Sequence, residues 1–100
     1  MNAFSEQALM GIDLGATGIK AAVFDLDGKL IASASQRNGP VQQPGGERGW
    51  LVWDAEDIWS KVCRCTRKVI GSLKSPSQIG GVSVSGFGVD GAPVDSNGNL

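Results

Sequence analysis

Met10-Gly11-Ile12-Asp13-Leu14-Gly15-Ala16-Thr17-Gly18-Ile19-Lys20-Ala21-Ala22-Val23-Phe24-Asp25 decides the fold of this 100-residue chain. An apolar strand ends in a carboxylate, a glycine-punctuated turn carries one hydroxyl, and a second apolar strand follows. Glycines lack Cβ atoms, so their backbone can approach an anion and take up positive φ. Asp13 ends the first strand, where a carboxylate can hold a divalent metal or its water. Thr17 can donate a hydroxyl hydrogen bond to a phosphate oxygen, and Lys20 brings a point charge nearby. The stretch reads as a phosphate turn. It is not a Walker A loop, because Lys20 follows Ile19 into a strand instead of opening a helix. It is not a dinucleotide fingerprint, because the glycines at 11, 15 and 18 have the wrong spacing and no helix follows.

Working outward, residues 1–7 read as a flexible tail, Ala8 to Asp13 as a short buried strand and Ile19 to Asp25 as a second. Asp27-Gly28 is a two-residue hairpin signal. Leu30 to Gln36 is then a third strand, with Leu30, Ala32 and Ala34 alternating against Ile31, Ser33 and Ser35. These three strands form an antiparallel meander. Asn38-Gly39-Pro40 and Pro44-Gly45-Gly46 predict an irregular exposed loop over residues 37–49. Asp54 suits the N-cap of a helix, with Asp57 at its positive end. Ile58, Trp59, Val62, Thr66, Val69, Ile70 and Leu73 recur at helical spacing. Gly71 is a C-cap candidate, and Ser75-Pro76 ends any continuation. Ile79 to Gly86 returns to a strand. Val89 to Asp95 reads as a further strand, interrupted by Gly91 and Pro93. Asp25-Leu26-Asp27-Gly28-Lys29-Leu30 is echoed by Asp95-Ser96-Asn97-Gly98-Asn99-Leu100, which we take as repeated hairpin chemistry.

Composition sets the outer bounds. Hydrophobic residues make up 41% and charged residues 19%, ordinary values for a globular domain. A net charge of -1 gives no electrostatic case for nucleic acid or an anionic membrane. No apolar run reaches membrane-spanning length, and the start carries no basic secretory n-region. Cys63 and Cys65 point in different directions on a helix and read as reduced thiols. The absence of histidine excludes a local Ser-His-Asp or Cys-His pair. The chain ends on the Asn97-Gly98 turn signal, so it reads as an N-terminal piece of a longer protein.

Asp13-Leu14-Gly15-Ala16-Thr17-Gly18-Ile19-Lys20 resembles the first phosphate motif of the actin, Hsp70 and sugar-kinase superfamily, strand-Asp-x-Gly-x-(Thr/Ser)-x-x-(Lys/Arg)-strand. Gly49-Trp50-x-x-x-Asp54-x-x-x-Ile58-Trp59 resembles the segment before the first helix of the FGGY carbohydrate kinases, a branch of that superfamily. Gly86-Phe87-Gly88-Val89-Asp90-Gly91 falls where those kinases carry a sugar-contacting turn. It lacks their Gly-Gln-Met-His-Gly or Gln-Arg-Glu and is closer to the Trp-Gly-Val-Asp of rhamnulokinase-like or xylulokinase-like members.

The resemblance implies an α/β, ribonuclease-H-like mixed sheet with an N-terminal antiparallel meander and a crossover helix. Residues 8–100 would be the first part of kinase domain I. It further implies transfer of the ATP γ-phosphate, with Mg²⁺, to a sugar or polyol hydroxyl in a cytoplasmic protein, with a homodimer as its assembly. Asp13, Gly15, Ala16, Thr17, Gly18 and Lys20 would surround the ATP phosphates, with Asp13 also toward the metal. Phe87, Gly88 and Asp90 would face the sugar. Trp50, Trp53 and Trp59 are candidate sugar-stacking platforms, and Trp50, next to the long loop, is read as the ligand neighbour. The general base, an Asp in these kinases, would lie beyond residue 100, so the fragment alone is expected to be inactive. Trp59 is expected to pack its helix onto the sheet.

Two rival readings set the comparison. Val23-Phe24-Asp25-Leu26-Asp27-Gly28 mimics the nucleophile motif of haloacid-dehalogenase-type phosphatases, with Asp25 attacking and Asp27 as general acid. Val82-Ser83-Val84-Ser85 could supply the phosphate-binding hydroxyl. Lys29 stands where those enzymes place Thr or Val, and a complete phosphate loop already precedes the pattern. The other rival is a non-catalytic nucleotide-binding protein of the actin or Hsp70 type, against which the Gly-Trp segment and the sugar turn argue.

Overall fold

A computed structural model of the chain describes residues 7–87 and 91–100. Its strands β1 (Ala8–Leu14), β2 (Gly18–Asp25) and β3 (Leu30–Arg37) follow one another, then two short strands β4 (Val41–Gln42) and β5 (Leu51–Val52). Helix α1 (Ala55–Ile70), a 3-10 turn (Pro76–Gln78) and strand β6 (Ile79–Ser85) complete the order. The main sheet runs β3-β2-β1-β6. β1 pairs antiparallel with β2, β2 with β3, and β6 lies parallel to β1. This is the expected mixed sheet, with α1 in the crossover between β3 and β6.

One sheet face is apolar because alternate side chains of β1 and β2 point the same way. Ala8, Met10, Ile19, Ala21 and Val23 are buried there, and Val62, Cys65 and Val69 of α1 close over them. Each fully buried aliphatic side chain contributes about 1.5–3 kcal/mol. The helix starts where Asp54 accepts hydrogen bonds from the backbone N–H groups of Glu56 (3.0 Å) and Asp57 (3.3 Å). Arg67 and Lys68 occupy its last turn, where cations oppose the dipole. Gly71 caps it in right-handed geometry, its N–H bonded to the Arg67 carbonyl at 2.9 Å. The Ser75-Pro76 stop becomes a 3-10 turn closed by a Ser75–Gln78 capping box.

Several details depart from the expectations. Gly11, Gly15 and Gly18 do not take positive φ; Gly28, Gly45, Gly49 and Gly98 do. Leu30 leaves the inward set because the ladder slips at Val23/Phe24, bypassing Ile31, so Ala32 and Ala34 alone continue the alternation. Residues 37–49 are not wholly irregular. Val41 pairs with Val52 and Gln42 with Leu51, and the Gln42 side chain clamps the loop by donating to the Glu47 carbonyl (2.7 Å) and accepting from the Gly49 N–H (3.0 Å). Residues 91–95 form no strand, where Pro93 removes a ladder donor. Trp59 is 66% exposed. Helix α1 lies over β2 and β3, so Trp59 only borders the unfilled apolar hollow above Ile12, Leu14 and Val84.

The two Asp-Gly or Asn-Gly turns are the same device. Asp25 Oδ1 accepts from Asp27 N (2.9 Å) and Lys29 N (2.8 Å), and Asp95 Oδ1 accepts from Asn97 N (2.8 Å) and Asn99 N (2.9 Å). Gly28 at φ +85° and Gly98 at φ +83° close the two turns.

Candidate functional site

Asp13 and Lys20 are cross-strand partners in the β1–β2 ladder, and Ser85 is the β6 partner of Asp13 in the parallel ladder. Period-two alternation therefore places all three on the sheet face opposite α1. Ser85 Oγ donates to Asp13 Oδ1 at 2.9 Å. Gly11, Ala22 and Ser83 floor the hollow beside them. Gly15 to Gly18 form the tight turn between the strands, closed by Gly15 N–H to Gly18 O at 2.9 Å. Ala16, Thr17 and Lys20 are exposed. A Cβ on Gly15 would sit 2.7 Å from the Gly18 carbonyl oxygen, so close approach, not positive φ, demands glycine there.

Asn38, which immediately follows β3, holds this turn from behind. Its N–H donates to the Thr17 carbonyl (3.1 Å) and its Nδ2 to the Gly15 carbonyl (3.0 Å). Lys61 of α1 donates to Asn38 Oδ1 (3.1 Å) and pairs with Asp57 (2.7 Å). The sequence gives Asn38 only as part of a loop signal, because its partners lie 23 residues away on either side.

The second cluster sits at the same end of the sheet. β1 and β6 are parallel, so their carboxyl ends lie side by side, and Gly86 packs next to Leu14. The Phe87 ring stacks against Trp53 at 4.8 Å between centroids and 47°. With Ala55, Ile58, Gly91 and Ala92 they border a hollow of about 330 Å³. Trp50 lies elsewhere, against Gly46 in the β4–β5 loop. Gly88 and Asp90, expected at the sugar turn, lie outside the described residues. The sequence offers Trp53 as one of three tryptophan candidates for a sugar platform; the juxtaposition of the α1 start with the end of β6 is what sets it against Phe87. Ser85 is offered by the sequence as a phosphate-binding hydroxyl of the phosphatase reading; its pairing with Asp13 comes from strand register.

Residues 8–100 match the N-terminal domain of the FGGY family of carbohydrate kinases. The chain belongs to that family. It is 34% identical over 89 residues to an L-fuculokinase of Haemophilus influenzae, a match covering 85% of this chain and 19% of that one. A glycerol kinase of Trichormus variabilis is 33% identical over 86 residues, covering 85% and 17%. Xylulose kinase of Rhodospirillum rubrum superposes with a TM-score of 0.69 over 92% of this chain and 18% of its own, at 21% identity. That likeness shows the sugar-kinase fold, the ribonuclease-H-like arrangement expected from the turn. The chain spans about a fifth of the length of these relatives. The phosphatase reading finds no support among them, and the Asp25 carboxylate is occupied as a turn cap.

Among the described residues no helix is long and apolar enough to cross a membrane.

Proposed function

We propose that the whole protein, of which this FGGY segment is part, transfers the γ-phosphate of ATP to a hydroxyl of a sugar or polyol. One observation carries the reading: the phosphate turn at Gly15 to Gly18 and the Trp53–Phe87 hollow open at the same end of the sheet, past the carboxyl ends of β1 and β6. Open α/β sheets bind ligands at that end. Phosphoryl transfer depends mostly on positioning and charge neutralisation, which backbone amides and Lys20 can supply.

Asp13 suits a Mg²⁺ site of the sparse kind. Among the described residues no three acidic, cysteine or histidine side chains gather to form a closed cage. Mg²⁺ in kinase sites is commonly held by one or two carboxylates, waters and substrate phosphates. Ser85 occupies Asp13 Oδ1 and orients the carboxylate, leaving its second oxygen for a metal-bound water. When bound, the metal would neutralise phosphate charge. Phe87 and Trp53 offer apolar ring faces to a sugar, with Gly88 and Asp90 beside them in sequence and Trp50 at the loop edge. The general base would come from chain beyond residue 100, in keeping with a fragment inactive by itself. A cytoplasmic location and a homodimeric assembly accompany the reading.

Full-length protein tested with ATP against a panel of ketoses, aldoses and polyols should release ADP with at least one acceptor. ATP hydrolysis that no acceptor accelerates would instead favour a nucleotide-binding relative of the actin type that phosphorylates no sugar.

A further inference from the structure

We infer that Asn38 is a positioning residue for the nucleotide, aiming the amides of the phosphate turn through a relay that runs Asp57–Lys61–Asn38–Gly15. This rests on the reading of Gly15 to Gly18 as the ATP-phosphate turn.

The argument begins with the peptide plane. In a trans peptide the C=O and the N–H of the following residue point in opposite directions. Fixing the Gly15 carbonyl toward Asn38 therefore aims the Ala16 N–H away from it. Fixing the Thr17 carbonyl does the same for the Gly18 N–H. Asn38 makes both bonds, one from its side chain (3.0 Å) and one from its backbone (3.1 Å). A single residue thus sets the direction of two peptide planes of the turn.

The orientation of the Asn38 amide is itself determined. The Lys61 ammonium can only donate, so the atom facing it is Oδ1; Nδ2 is left to face the Gly15 carbonyl, which can only accept. Lys61 is held in turn by Asp57 one helical turn earlier, at 2.7 Å, with its side chain only 13% exposed. A part-buried, charge-assisted bond of this kind is stronger than a neutral surface one. The turn therefore takes its aim from the rigid body of α1, while the glycines leave its own backbone soft.

A residue that merely supported the fold would weaken every activity together when changed. A positioning residue should separate them. In the full-length protein, Asn38→Asp keeps the shape and the Lys61 partner but replaces the Nδ2 donor with an oxygen. It should raise the KM for ATP about tenfold, the loss of one hydrogen bond to a partly buried carbonyl, while leaving the KM for the accepted sugar within about twofold. Hydrogen exchange in a peptide spanning Gly15 to Gly18 should quicken. Asn38→Ala should do the same, and Lys61→Arg, which keeps a donor for Oδ1, should stay near wild type. If Asn38→Ala fails to fold, Asn38→Asp still decides. A folded Asn38→Asp protein with unchanged ATP binding would overturn the inference alone. A wild-type protein that binds no ATP would overturn the phosphate-turn reading and this inference with it.

Discussion

Gly15 and Gly18 face each other across the turn with no room for a side chain between them: a Cβ on Gly15 would stand 2.7 Å from the Gly18 carbonyl oxygen. The reverse does not hold. A Cβ on Gly18 would meet only the Gln36 carbonyl oxygen at 3.7 Å, an ordinary contact. The two glycines therefore differ, as they do in the motif, where Gly15 is the fixed glycine and Gly18 falls on an open position. Gly15→Ala should cost roughly 1–3 kcal/mol through overpacking and open the turn. Gly18→Ala should change stability by less than about 1 kcal/mol. Denaturant unfolding of the two variants, with ATP KM beside it, checks the asymmetry. Equal losses would show that the turn relaxes in a way this geometry does not allow.

Asp13 and Asp25 stand at opposite ends of the reasoning about chemistry. Asp25 spends its carboxylate on two backbone N–H groups at 2.8 and 2.9 Å, a cap that an amide oxygen can also provide. Among the described residues, Asp13 has the Ser85 hydroxyl as its protein partner at one oxygen, and it faces the exposed hollow with Lys20 nearby. In the full-length protein Asp25→Asn should retain most kinase activity. Asp13→Asn should lower kcat by at least about a hundredfold, the scale on which removal of a positioned electrostatic group acts. Loss of activity in Asp25→Asn with Asp13→Asn unaffected would revive the phosphatase reading.

The meander, the helix and the return strand were legible because each is written in local sequence: alternate apolar residues in Ile19 to Val23, helical spacing through Val62 and Val69, and a cap at Asp54; the parallel pairing of that strand with β1 is not local. What escaped was set by distant partners. Nothing near Gln42 in sequence shows that its side chain will bridge Glu47 and Gly49 into a small hairpin. The slip beside Ile31 appears only when β3 is laid against β2. The site divides in the same way. Asp13, Thr17 and Lys20 belong to one short motif and could be read directly. Asn38, Ser85 and Trp53 are joined to their partners by pairings across 23, 72 and 34 residues, which no local pattern shows. The choice of Trp50 beside the sugar followed its place next to a long loop, whereas Trp53 is the indole that meets Phe87.

Asp95 should titrate below the ordinary aspartate value. The backbone N–H of Asn99 is the chief cause, that of Asn97 the next, both bonding the ionised carboxylate. A carboxylate depressed in the folded state adds to turn stability above its unfolded value. That contribution fades as pH falls through the lower, folded value. The turn at Asp95 to Asn99 should therefore stay closed at neutral pH and loosen only on the acid side of the ordinary aspartate range. The amide resonances of Asn97 and Asn99, followed by NMR on acidification, should move together with one midpoint below that range. Midpoints at or above the ordinary value would show that the cap does not form in solution.

Trp53 separates the two halves of the site. Its ring centroid lies 4.8 Å from that of Phe87 and it borders the hollow past β6, but the Gly15–Gly18 turn is held by Asn38 and Lys61 without it. Trp53→Ala in the full-length protein should thus raise the KM for the sugar by about tenfold, the worth of a lost aromatic face and its ring contact, and leave the KM for ATP within about twofold. Trp50→Ala, removing an indole packed on Gly46 instead, should shift the sugar KM by much less. Steady-state kinetics with each substrate varied in turn reads both numbers. If Trp50→Ala proves the costlier change, the sugar lies over the β4–β5 loop and not against Phe87.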